Sequence, residues 1–169
     1  MPIRIDELRA ASQRPEVKLA QTLAEARSKG LKSAFLCHSH ADADLVKGML
    51  NLLADSGWQV YVDWLDTAMP ESPNRETANR IQQKIVDCNY FLFLATPNSV
   101  ASRWCPWEIG CADGRKSVQQ IIVIPTVDTS GKWYGNEYLH LYRKLDRASD
   151  GLLRVSEPGK ADGTWVRWL

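Results

Sequence analysis

Hydrophobic and polar positions change period several times along this chain. Three short apolar runs stand out: Ser33–Ser39 (S-A-F-L-C-H-S), Tyr90–Ala95 (Y-F-L-F-L-A) and Gln120–Val127 (Q-I-I-V-I-P-T-V). Each is too short for a buried helix and ends in turn residues, so each reads as a strand covered on both faces. Trp58–Asp63 (W-Q-V-Y-V-D) predicts a further strand. The stretches between them carry a helical period. Leu45, Val46, Met49, Leu50, Leu52 and Leu53 give one apolar face, with Asp42 or Asp44 as the cap and Ser56-Gly57 as the stop. Glu76–Asp87 predicts a helix with Ala78, Ile81, Ile85 and Val86 inward, and another runs from about Ser102 to Gly114. Ahead of the first strand, Val17, Leu19, Ala20, Leu23, Ala24 and Ala26 predict a helix over Glu16–Lys29, stopped by Gly30. Residues 1–15 are mixed. In the tail, Asn136–Leu145 reads as a helix, Gly151–Val155 as a short fifth strand and Trp165–Trp168 as a docking segment.

Strands that alternate with helices imply a parallel sheet with right-handed crossovers. The predicted class is α/β: a flavodoxin-like, five-stranded parallel sheet of order 2-1-3-4-5, flanked by helices, with an extra N-terminal helix. The organisation is a helical extension over 1–30 and one domain over 31–169. Ligands bind such sheets at the C-terminal strand edges. Those edges gather Cys37 to His40, Asp63 to Pro73, Thr96 to Ser99 and the start of the helix after Thr96-Pro-Asn-Ser99. There Ser102 can cap, Pro106 is tolerated in a first turn, and Trp104 and Glu108 share one helical face. The connection from Trp64 to Asn74 is long enough to suggest a functional loop. Neither G-x-G-x-x-G nor G-x-x-x-x-G-K-[ST] occurs, which disfavours a dinucleotide dehydrogenase or a P-loop enzyme.

Composition narrows the partners. The apolar share of 44% and charged share of 24% suit an ordinary globular domain, and 169 residues suffice for a core. A net charge of +1 offers no field for nucleic acid or an anionic membrane. No apolar run approaches the roughly 18 residues of a membrane span. The start, M-P-I-R-I-D-E-L-R, does not resemble a secretory signal, so the expected location is cytoplasmic. Cys37, Cys88, Cys105 and Cys111 show no C-x-x-C pairing and read as free thiols in a reducing compartment. His38, His40 and Asp42 are the best metal candidates, but residues of this kind at a strand exit also serve turns and caps; no metal is expected.

Three stretches carry a resemblance. A-F-L-C-H-S-H-A-D, V-Y-V-D-W-L-D-T-A-M-P-E-S and F-L-F-L-A-T-P-N-S-V-A-S-R-W-C-P-W-E-I are similar to the boxes of Toll/interleukin-receptor (TIR) domains, over about residues 32–127. Two features depart from the family pattern: Pro70-Glu71-Ser72 stands where Pro-Gly-Ser is usual, and Cys37-His38-Ser39-His40 fills the first box. The resemblance implies one of two roles. Some TIR domains are assembly modules. Others, as in antiphage defence, cleave NAD at the nicotinamide–ribose bond and release ADP-ribose or a cyclic ADP-ribose-type signal. In the cleaving members the Trp-x-x-x-Glu glutamate is catalytic, and that pattern falls on Trp104 and Glu108. The expected substrate contacts are Trp104, His38, Ser39, His40, Asp63, Trp64 and Ser99. NAD is then a substrate with no further cofactor, self-association is expected, and a separate effector protein would sense the product. The alternatives are a non-enzymatic interaction module and a deoxyribosyltransferase-like enzyme.

The residue types suit the cleavage. Nicotinamide leaves NAD as a neutral base from a cationic ring, and the sugar becomes oxocarbenium-like. A fixed carboxylate stabilises that charge, as in glycosidases, and needs no metal. An indole can pack on a flat ring. Asp63 and the 64–73 loop would cover the cleft and limit water.

Overall fold

The computed structural model describes residues 1–15, 22–58, 60–63 (backbone only) and 74–169. Its centre is the set of apolar runs. Strand β2 (Lys32–Cys37) pairs in parallel with β3 (Val60–Asp63) on one side and β4 (Tyr90–Ala95) on the other. Strand β4 pairs in parallel with β5 (Ile121–Val127). This is the predicted order 2-1-3-4.

Alternation along these strands sorts side chains into two cores, as the pleat requires. Ala34, Leu36, Leu92, Leu94, Ile122 and Ile124 face one layer. Phe35, Cys37, Phe91, Phe93, Ile121 and Val123 face the other. The first layer is covered by α1 (Ile5–Ser12) and α3 (Ala43–Asp55), the second by α4 (Arg75–Asp87) and α6 (Cys105–Asp113). In α4 Ile81 and Ile85 point inward as predicted, whereas Val86 is exposed, because Ile81, Ile85 and Thr77 already define the buried stripe. Trp58 packs edge-on against Tyr90, just ahead of β3, with ring centroids 5.7 Å apart.

The tail differs from the expectation. The fifth parallel strand is β7 (Arg143–Arg147), next to β5, in a segment whose spacing predicts a helix. Only a 3₁₀ turn, Glu137–Leu141, is helical there. In R-K-L-D-R the single apolar residue, Leu145, is fully buried while its neighbours are half-buried, a period of two masked by charge. The run around Gly151–Val155 becomes β8 (Leu153–Ser156), antiparallel to β7 and followed by β9 (Gly163–Trp165). Val166 then docks into the core.

The mixed first residues are also structured. Strand β1 (Ile3–Arg4) pairs in parallel with Thr126–Val127 of β5, and β6 (Trp133–Tyr134) pairs with the same residues from the antiparallel side. Ile3, Ile5, Leu8 and Ala11 lie in the first core layer. Helix α2 (Leu23–Ser28) is the described part of the helix predicted over 16–29; Thr22 caps it by accepting from the Glu25 amide at 3.0 Å. Gly30 follows at φ +64°, the left-handed conformation that suits glycine at such a stop. Residues 16–21 lie outside the described residues.

Candidate active site

Two strand ends and one helix start build the site. At the exit of β4, Thr96 and Ser99 form a capping box on helix α5 (Pro97–Ala101): the Ser99 amide donates to Thr96 Oγ1 at 3.0 Å, and the Thr96 amide donates to Ser99 Oγ at 2.8 Å. Ser99 is fully buried, so its hydroxyl serves the cap.

Asp42 joins this exit to that of β2. Its carboxylate, 2% exposed, accepts from Thr96 Oγ1 at 2.5 Å and from Asn98 Nδ2 at 2.7 Å. It stands at the N-cap position of α3 but makes no side-chain cap bond, which corrects the capping role expected for it. Replacing Asp42 with Ala removes a buried charged acceptor; Thr96 Oγ1 keeps Ser99 Oγ at 3.3 Å and the exposed Asn98 amide turns to water. The expected loss is about 2 kcal/mol of unfolding free energy, read by urea denaturation. A loss within a few tenths of wild type would show that the bridge contributes nothing.

Helix α6 starts at Cys105, three residues after the expected Ser102, with Trp104 at its N-cap position and no cap bond from that side chain. Ser102 Oγ accepts from the amides of Trp104 (3.1 Å) and Cys105 (3.3 Å), and Pro106 occupies the first turn. The Glu108 amide closes the turn onto the Trp104 carbonyl at 2.8 Å. Trp104 is half-buried against the second core layer and meets Trp107 edge-on, with centroids 5.2 Å apart. Glu108 points inward, only 7% exposed.

There it meets the last residue of β2. Cys37 Sγ, Cys105 Sγ and a Glu108 carboxylate oxygen all lie within 4.8 Å of one another. Burial pushes the Glu108 carboxyl up to about 7, against a hydrogen bond from Cys37 that pulls it down. Burial pushes the Cys37 thiol well up. The Cys105 thiol is lowered by its hydrogen bond with Cys37 and, less, by Ser102, in opposition to burial. The four cysteines are free, as expected, with Cys37, Cys88 and Cys105 buried. Two thiols and a carboxyl are also a donor set that suits zinc. Here the packing of α6 on β2 accounts for their closeness, and Cys37 Sγ donates to the Cys105 carbonyl at 3.9 Å.

The other expected residues spread along the same edge. His38, half-buried, places Nδ1 2.9 Å from the Leu36 carbonyl, and burial lowers its pKa. His40 is exposed and opens a 3₁₀ turn, His40–Asp42, with its ring 6.2 Å from that of His38. Ser39 caps that turn, accepting from the Ala41 amide at 3.4 Å. Asp42 faces Thr96 and Asn98, so these two histidines and Asp42 are not assembled as one ligand group. Asp63 ends β3 opposite Phe35; its side chain lies outside the described residues, as do Trp64 and the rest of the 64–73 loop. The sequence reading placed Cys37 at the ligand-binding edge, as the last residue of its strand, but not among the substrate contacts and not beside Glu108.

The family model described as TIR domain matches residues 34–151. A protein of Bacillus cereus (strain MSX-D12), named as a probable 3′ cyclic ADP-D-ribose synthase, ThsB′, is 37% identical over 112 residues. That match covers 64% of this chain and 57% of the relative, so the chain spans somewhat over half of the relative's length. Among the described residues no helix is long and apolar enough to cross a membrane. With the family's match running from strand β2 through the parallel strands to the tail, this chain belongs to the TIR domain family.

Proposed function

We infer that this protein is an NAD-cleaving TIR enzyme that breaks the nicotinamide–ribose bond, with Glu108 as the catalytic carboxylate. One observation carries the reading: a carboxyl group buried at the sheet's C-terminal edge, on a rigid helix, with its pKa raised to about 7. Ionised, Glu108 stabilises the positive charge that develops on the ribose as the C–N bond breaks. Nicotinamide takes the bonding electron pair and leaves neutral. Water adding at the anomeric carbon and releasing a proton to solvent then gives ADP-ribose, and a substrate hydroxyl that loses its proton in the same way gives a cyclic product. The relative's name, a probable 3′ cyclic ADP-D-ribose synthase, supports the cyclic outcome; a role in antiphage defence belongs to the same proposal.

Trp104, His38, Ser39, His40, Asp63, Trp64 and Ser99 complete the proposed site, Ser99 by holding the strand exit through its cap. NAD is the substrate and no cofactor takes part. Self-association and a separate effector that senses the product in the cytoplasm belong to the same reading.

The test is incubation of the purified chain with NAD, with free nicotinamide and the nucleotide product read by chromatography and mass spectrometry. Nicotinamide release above a protein-free control is expected. Its absence at all protein concentrations and over pH 6–9 would favour the non-enzymatic interaction module instead.

A further inference from the structure

Glu108 is buried beside a thiol that the cleavage chemistry does not use. Cys37 ends β2, between β3 and β4, 1% exposed, and Cys105 opens α6, also 1% exposed. Sulfur, sulfur and carboxylate oxygen lie within 4.8 Å. A thiol has one proton to donate. Three acceptors compete for it: the Glu108 carboxylate, the Cys105 sulfur and the Cys105 carbonyl, 3.9 Å from Cys37 Sγ.

We propose that Cys37 is a positioning residue for Glu108, its S–H donating to the carboxylate when Glu108 is ionised and turning to the Cys105 carbonyl when Glu108 is neutral. The donor keeps the carboxylate charged and fixes the face it presents to the ribose. This rests on the catalytic reading of Glu108.

The surroundings leave Cys37 this task. Helix α5 carries no titratable side chain, and β4 carries only Tyr90, at its far end. Helix α4 turns Arg75, Glu76, Arg80 and Asp87 to solvent and half-buries Lys84. Asp42, at the start of α3, acts on Cys105. His38 Nδ1 sits at the Leu36 carbonyl. The Cys37 and Cys105 thiols both lie within 4.8 Å of the Glu108 carboxylate, and of the two it is Cys37 that holds the Glu108 pKa down against burial. A hydrogen bond to a charged group is worth about one pH unit or more in the acceptor's titration.

The experiment is a carboxyl ¹³C NMR titration of glutamate-labelled protein, with the Glu108 signal assigned by its loss in Glu108→Gln. Cys37→Ala, and the near-isosteric Cys37→Val should Ala fail to fold, lack the donor; Cys37→Ser keeps one. In the donor-free variant the Glu108 midpoint should rise by about one pH unit. The acid limb of kcat/KM for nicotinamide release should rise with it, and Cys37→Ser should hold both near wild type. An unmoved midpoint in the donor-free variant, or one that moves equally in Cys37→Ser, overturns the proposal. The NMR midpoint needs no turnover, so a protein that never cleaves NAD refutes the catalytic reading while the thiol–carboxylate link is still judged by titration.

Discussion

Replacing Glu108 with Gln is expected to lower nicotinamide release from NAD by about 10²-fold or more, and to make the folded protein more stable at pH 8. The first effect follows from removing the charge that opposes the ribose cation. Glutamine has nearly the same shape, so the fold survives. The second effect follows from burial. The Glu108 carboxyl titrates near 4.5 when solvated and about 7 in the folded protein. Below pH 4.5 it is neutral in both states and contributes no difference. Between the two values the native state holds a proton that the unfolded state has lost, so stability falls as pH rises. Above 7 the native protein carries a buried charge at a cost of about 3 kcal/mol, to order of magnitude. Glutamine escapes that cost. Melting curves of the two proteins should therefore separate most at pH 8 and approach each other near pH 4.5. A folded Glu108→Gln protein with wild-type turnover removes Glu108 from the chemistry. Equal melting at pH 8 shows instead that the carboxylate is better solvated than its 7% exposure implies.

The parts of this fold that were legible are those where one local signal dominates. Strands β2, β4 and β5 are covered on both faces, and continuous apolar runs announce them. The Trp104–Glu108 spacing, Ser102 and Pro106 located the site helix to within three residues of its start at Cys105, because all three act within two turns. Strand β7 was missed because charges surround its one core residue, Leu145. Asp42 or Asp44 reads as the cap of the next helix from its place, yet the partners of Asp42, Thr96 and Asn98, are 54 and 56 residues away. The same distance hid Cys37: nothing local to A-F-L-C-H-S says that its thiol meets a helix that begins at Cys105. Spacing exposes which residues share an element. Contacts between elements decide what those residues do.

Gly48→Ala is expected to destabilise the protein by about 3 kcal/mol, even though alanine is the better helix former. Helix α1 crosses α3 so closely that a Cβ on Gly48 would stand 1.9 Å from the Leu8 carbonyl oxygen and 2.7 Å from its carbon. Both obstacles are backbone, so no rotamer change relieves them and α1 must move away. That movement exposes Leu8, which is fully buried, and Ile5. It also pulls the Ala11 carbonyl from Asn51 Nδ2, now at 2.9 Å, one turn along the same interface. Intrinsic propensity alone would stabilise α3 by about 1 kcal/mol, so the sign of the change separates the two effects. The packing term should lower the melting temperature by roughly 6–12 °C. Melting at or above the wild-type temperature would show that α1 docks loosely. Because α1 and Glu108 lie in opposite layers of the sheet, cleavage of NAD should persist at temperatures where the variant stays folded. The first twelve residues, a mixed stretch to sequence reading, would then be measured as part of the core that holds β5 in place.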